Sequence, residues 1–254
     1  MFGRIYSEHL KNNLGPKNNR KGVKPMIRAI FLDWGRTLVV GFREIDAKIE
    51  EVLRPYGLKW DEIFSVWRNF YLLRSLGRLK TDQEMFDQLR KVLNLSDNSP
   101  LETIRGLQIG SHIITPETIE IIRKVKQRYK VGIISNNVYD WVIQVLEAYQ
   151  IRGLFDVITV SSEVGARKPD ARIFQVALKS VSVKAEEAVF VSDELAEDLV
   201  GSKGLGMISV WLKAPHIRSE WKQREVVEEE IFKPDATISN LEELIPFLEK
   251  MNKV

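Results

Sequence analysis

Five residues stand where their types could do chemistry together. Asp33 closes the apolar run at 27–33, IRAIFLD. Ser135, followed by Asn136, closes KVGIIS at 130–135. Lys168 precedes a proline and a helical stretch in EVGARKPDARIFQVAL. Asp193 follows AVFVS at 188–192, and Asp198 lies five residues further on. A carboxylate, a hydroxyl, an ammonium and two more carboxylates suit phosphoryl transfer. The first carboxylate can attack phosphorus. The cation and the polar donors neutralise the phosphate oxygens. Carboxylates from separate strands can hold a hard divalent ion on oxygen ligands.

These residues meet only if the elements carrying them are adjacent. Residues 27–33 are short, apolar and rich in branched side chains, the pattern of a buried parallel strand. From Thr115 onward strands and helices alternate. The pattern predicts strands at 130–135, 155–160, 188–192, 207–211 and 236–238. It predicts helices at 115–129, 138–149, 170–179, 196–203 and 241–251. Alternation of this kind implies an α/β fold, a doubly wound parallel sheet covered on both faces. Parallel strands bring their carboxyl ends, and hence all five residues, to one edge. Ligands of open parallel sheets bind at that edge.

Residues 44–95 read differently. Helical spacing at 44–55, 60–76 and 81–93 is broken at Pro55/Gly57, at Gly77 and at 94–100. Trp60, Phe64, Trp67 and Tyr71 recur at three- and four-residue steps, a pattern of core packing. The block leaves from the tip of the first strand, where it can act as a lid over the sheet edge. The division expected is 1–25 as a basic extension, 26–41 and 114–254 as the α/β core, and 42–113 as a helical cap.

Composition narrows the alternatives. The chain has 254 residues, 44% hydrophobic and 29% charged, which are globular values. Cysteine is absent, which excludes disulfides, thiolate metal sites and a cysteine nucleophile. With His9, His112 and His216 as the only histidines, a multi-histidine metal site is not expected. No apolar run is long enough to span a bilayer, so no membrane partner is expected. No apolar segment follows the first basic residues, so no secretory leader is expected and a cytoplasmic setting is. Residues 1–25 hold six basic residues against Glu8, a net +5 that leaves −2 for the rest of a +3 chain. Apart from Tyr6 no aromatic interleaves those charges, so the extension reads as solvated and nucleic acid is not an expected partner. Met26 directly precedes the first strand and is a candidate natural start.

The four segments resemble the motifs of the haloacid dehalogenase-like hydrolases. EVGARKPDARIF is similar to the third motif of the branch whose helical cap follows motif one. The resemblance covers residue 26 to the C-terminus, cap included. It implies a Mg²⁺-dependent hydrolase, most simply a phosphatase of a small phosphorylated metabolite. Asp33 is then the nucleophile and a metal ligand, and the Gly35 backbone carbonyl a further ligand. Thr37 orients the nucleophile loop. Ser135 and the Asn136 N–H bind the transferring group, and Lys168 neutralises nucleophile and phosphate. Asp193 is a metal ligand, and Asp198 supports the metal from the same loop.

One position departs from the family. The acid two residues after the nucleophile, which usually serves as general acid and base, is replaced by Gly35. That function is worth about 10²–10⁴ in rate. Three readings stay open: a slow or leaving-group-dependent phosphatase, a phosphonatase- or dehalogenase-type hydrolase, and a non-catalytic phosphate-binding or scaffolding protein. Dehalogenases need no metal and lack the paired carboxylates that Asp193 and Asp198 provide. Phosphonoacetaldehyde hydrolases share a small residue here and an Asp-Trp pair, but need a cap lysine. Lys48, Lys59 and Lys80 stand in no matching context. A scaffold that had lost turnover should have lost other motif residues too, and Asp33, Ser135, Lys168 and Asp193 all stand.

Several residues carry two readings. Trp34 is either packing beneath the cap or a substrate wall. Arg36 replaces a glycine usual in that loop, facing either phosphate or solvent. Arg68 and Arg74 can be read as cap cations for an acidic substrate. His112 and His216 receive no chemical role, and the mixed charges of 212–235 read as a solvated face.

Overall fold

Strand β1 (Ala29–Leu32) is apolar on both sides, and every residue of it is buried. In the computed structural model, which describes residues 26–213 and 232–252, it lies inside a six-stranded parallel sheet. After β1 come β2 (Gly41–Phe42) and four helices: α1 (Asp46–Leu53), α2 (Trp60–Ser75), α3 (Asp82–Val92) and α4 (Ser99–Gly110). Strand β3 (His112–Ile113) pairs antiparallel with β2 and closes this block at its base. The core resumes with α5 (Pro116–Lys126), β4 (Lys130–Ser135), α6 (Tyr139–Ala148), β5 (Val157–Val160), α7 (Ser161–Val164) and α8 (Ala171–Ser180). It ends with β6 (Ala188–Ser192), a π-turn at Leu195–Leu199, α9 (Val200–Gly204), β7 (Ile208–Leu212), β8 (Ala236–Ile238) and α10 (Leu244–Asn252).

The sheet order is β5-β4-β1-β6-β7-β8. Leu32 is in register with Ile133 on one side and Val191 on the other. The strand order therefore reverses around β1, which puts the crevice of a doubly wound sheet at its carboxyl end. Alternate residues serve opposite faces. Ile30, Leu32, Ile133 and Val191 pack with helices α5, α6 and α10. Phe31, Ile134 and Phe190 pack with α8 and the Leu195–Val200 turn. Both faces are covered, as fully apolar strands require.

The structure adds two things to the sequence reading. Residues 94–100 were expected as a break, but α4 starts at Ser99 with Pro100 in its first turn. Proline fits there because its missing N–H is one of the helix's unpaired donors in any case. The β2–β3 pair had no periodic signal because each strand has two residues. The expectations for residues 1–25 and His216, and most of those for 212–235, fall outside the described residues.

The block between β2 and β3 builds its own apolar cluster from Ile49, Leu53, Trp67, Phe86, Leu89 and Ile104. Trp67 is buried against Trp60 and Phe86, so the core reading of the aromatic stripe holds there, whereas Phe64 is exposed. The end of α2 docks on the core. The Ser161 hydroxyl donates to the Ser75 carbonyl at 2.6 Å, and Arg167 donates to the Ser75 hydroxyl at 2.6 Å. The Tyr71 hydroxyl reaches Asn137 Oδ1 at 3.1 Å, and burial pushes its pKa up to about 12, so it remains a donor. Gly77 has φ +67, and a Cβ on it would collide with the Ser162 carbonyl oxygen. Only glycine meets both conditions without strain. Arg74 is buried between Asp82 at 3.0 Å and Asp140 at 3.1 Å. It ties the block to α6, which corrects its reading as a substrate cation.

Candidate active site

Asp33 follows the last residue of β1, and its N–H still donates to the Val191 carbonyl of β6 at 2.9 Å. Ser135 ends β4 and is buried. Asp193 follows the last residue of β6. The side chains expected to act are therefore delivered to one edge by three neighbouring strands. Asn136 ties in a fourth segment. Its Oδ1 accepts from the Lys168 N–H at 2.7 Å, and its Nδ2 donates to the Lys168 carbonyl at 3.1 Å. This two-way clamp fixes the backbone from which the Lys168 side chain extends.

The Lys168 ammonium is buried between Asp33, to which it is hydrogen-bonded, and Asp198 Oδ2 at 2.6 Å. It also lies 5.4 Å from the centroid of the Phe190 ring. Burial alone would lower its pKa; the charges of Asp198 and Asp33 outweigh that and raise it to about 12. Asp198 also accepts from the Ser192 hydroxyl at 2.6 Å. Burial pushes the Asp198 pKa up, against the pull of Lys168 and Ser192.

Asp193 has a different partner. Its carboxylate is hydrogen-bonded and ion-paired to Arg36 Nε, and Arg36 Nη2 lies 3.8 Å from Glu194. The Asp193 N–H donates to Thr37 Oγ1 at 3.2 Å, and its carbonyl accepts from Trp211 Nε1 at 3.1 Å. Thr37 thus pins the loop after Asp33 to the tip of β6. Burial raises the Asp193 pKa to about 7, with Arg36 opposing and the nearby Asp33 charge adding to it. Arg36 has φ +57, a left-handed conformation that costs a non-glycine residue roughly 1–2 kcal/mol.

Asp33, Lys168 and Asp198 are in direct contact, Ser135 and Asp193 stand at the tips of the strands on either side of β1, and Thr37 and Asn136 are backbone ties. The contacts of Arg36 and Ser192 were not anticipated. Arg36 had been read as facing phosphate or solvent; it is ion-paired to Asp193. Its place in a loop where glycine is usual was the available signal. Trp34 is buried and its ring lies 5.7 Å from that of His112, which favours packing over a substrate wall. His112 Nδ1 lies 3.0 Å from the Gln108 and Ile109 carbonyls, and burial lowers its pKa. Lys48, Lys59 and Lys80 are exposed.

The donor set fits a hard divalent ion. Asp33 and Asp193 lie on adjacent strand tips and sense each other's charge, and a cation already sits on Asp193. No cluster of three or more acidic or histidine side chains stands ready as a metal cage among the described residues. Mg²⁺ does not need one: it commonly uses one or two carboxylates and keeps several waters.

Among the described residues no helix is long and apolar enough to cross a membrane. Residues 78–212 match the family model of the haloacid dehalogenase-like hydrolases. The chain is 33% identical over 202 residues to the glyceraldehyde 3-phosphate phosphatase of Pyrococcus abyssi, covering 74% of this chain and 82% of that protein. It is 33% identical over 135 residues to the glyceraldehyde 3-phosphate phosphatase of Pyrococcus furiosus, covering 52% of each. Over several other curated relatives, too, the match spans only about half of their length. Among solved structures, an HAD phosphatase from Thermococcus onnurineus superposes with a TM-score of 0.60 at 22% identity, covering 87% of this chain and 98% of that one. A sheet reversing at β1, the residues gathered at its edge and these matches agree: the chain belongs to the haloacid dehalogenase-like hydrolases.

Proposed function

We propose that this chain is a phosphatase of a small phosphorylated metabolite, working through a phosphoryl-aspartate on Asp33 with Mg²⁺ as cofactor, in the cytoplasm. The observation that carries the reading is the buried Lys168 ammonium held between Asp33 and Asp198 at the carboxyl edge of the sheet. Relatives named as phosphatases support the substrate class. The residues that would hold the metal are Asp33, the Gly35 carbonyl and Asp193, with Asp198 in support. When bound, the ion would supply positive charge to the phosphoryl oxygens.

The protein's own part is as follows. Lys168 is hydrogen-bonded to the Asp33 carboxylate and orients it. An Asp33 oxygen attacks phosphorus and the ester oxygen leaves. The Ser135 hydroxyl and the Asn136 N–H donate to the transferring group, and Lys168 offsets its charge. Water then attacks phosphorus, the bond from phosphorus to the Asp33 oxygen breaks, and inorganic phosphate leaves with Asp33 restored. No side chain at position 35 protonates the leaving oxygen, so esters with good leaving groups should react fastest.

An aryl phosphate supplied with Mg²⁺ should be turned over, and a chelator should stop the reaction. Turnover that survives chelation would remove the metal from this reading. A Cβ on Gly35 meets nothing within 4 Å, so the backbone does not block a side chain there. Gly35→Asp should accelerate alkyl phosphate hydrolysis by about 10²-fold, and aryl phosphate hydrolysis by less. Equal rates with both proteins on both esters would show that another group already serves as the acid.

A further inference from the structure

We propose that Arg167 is a positioning residue: it carries the docking of α2 to the adjacent Lys168, so that rate depends on a contact with the helical block. The inference rests on the phosphatase reading above and deepens it into a coupling between the block and the site.

The near end of Arg167 is fixed to Lys168. Both polar groups of the peptide between them are engaged. The Arg167 carbonyl accepts from the Asp170 N–H at 2.9 Å, and the Lys168 N–H donates to Asn136 Oδ1 at 2.7 Å. A shift of Arg167 therefore moves the residue whose ammonium reaches Asp33.

The far end is fixed to the block. Arg167 Nη1 donates to Ser75 Oγ at 2.6 Å, and that hydroxyl donates in turn to the Leu72 carbonyl at 3.1 Å, inside α2. Ser75 is fully buried. Its carbonyl accepts from Ser161 Oγ, which also lies 3.2 Å from the Asn137 carbonyl. One turn earlier in α2, Tyr71 reaches Asn137 Oδ1. The end of α2 thus grips both segments that carry site residues, 135–137 and 167–168. The close approach of Gly77 to the Ser162 carbonyl leaves this joint little slack. Among the described residues the Arg167 guanidinium has the Ser75 hydroxyl as its hydrogen-bond partner and no carboxylate. A half-buried cation that answers a hydroxyl on the block is placed to locate the chain, not to neutralise a charge.

With an aryl phosphate and Mg²⁺, Arg167→Met should lower kcat about tenfold and leave KM within about twofold of wild type. Ser75→Ala removes the same contact from the other side and should match it. The double variant should be no slower than either, because one contact is lost in all three. Arg167→Lys keeps a donor on a long stem and should recover most of the rate. Additive losses would overturn the proposal, and so would a raised KM at unchanged kcat, which would make Arg167 a substrate contact. Amide hydrogen exchange followed by NMR needs no turnover. Protection of the Lys168 amide should fall about tenfold in Arg167→Met and in Ser75→Ala, with the Phe31 amide of β1 unchanged. Unchanged protection at Lys168 would overturn the coupling, as would an equal loss at both amides, which marks general destabilisation. A wild type that leaves the ester intact, with Lys168 protection lost in the variants, would remove the phosphatase reading and leave the coupling standing. If Arg167→Met does not fold, Ser75→Ala carries the comparison alone.

Discussion

Asp33→Asn should abolish turnover, by at least about 10³-fold, with little change in fold. The substitution keeps the size of the side chain and its place at the tip of β1. It removes the negative charge needed to attack phosphorus. It also leaves Lys168 with Asp198 as its one charged partner, so the ammonium is not stranded. Stability should therefore change far less than rate. The check is a single-turnover assay with an aryl phosphate beside a denaturation curve. A variant with full activity would remove Asp33 as nucleophile. A variant that is inactive because it is unfolded would show in the second measurement.

Lys168→Met should do both kinds of damage. The Lys168 side chain is 2% exposed and answers two carboxylates. Methionine fills similar space but leaves Asp33 and Asp198 facing each other with no cation between them. Removing one partner of a buried ion pair typically costs about 3–5 kcal/mol. The pH dependence identifies the origin of that loss. The folded-state pKa of Lys168 is raised to about 12 from 10.5 by Asp198 and Asp33, after burial has opposed them. A raised lysine pKa contributes stability that is fully present below pH 10.5 and is lost as pH climbs through 12. The contribution of the Lys168 charge to the stability gap between wild type and Lys168→Met should thus be constant below pH 10.5. It should narrow between pH 10.5 and 12. A gap that stays constant across that window would mean the lysine acts through packing, not charge.

Both variants act on contacts that differ in how far they can be read from the chain. The strands at 130–135, 188–192 and 236–238 were legible to the residue, because an apolar run bounded by polar or turn residues carries its own limits. The end of the first run was legible as well, and with it Asp33. Helix α4 was not, because Pro100 has the same identity whether it stops one helix or starts the next. The helix expected at 196–203 begins as a π-turn, a local widening that no apolar spacing announces.

By itself, the sequence determined the alternation of strands and helices, the parallel sheet, and which residues end its strands. These are local properties, set by the period of apolar side chains along a few residues. The tertiary structure alone decided the pairing of charges. Lys168 meets Asp33 across 135 residues, and Arg36 meets Asp193 across 157. A cation chooses its carboxylate by distance and shared burial after the chain has folded. Nothing in the spacing of Arg36 distinguished solvent, phosphate or Asp193 as its partner until β1 and β6 lay side by side.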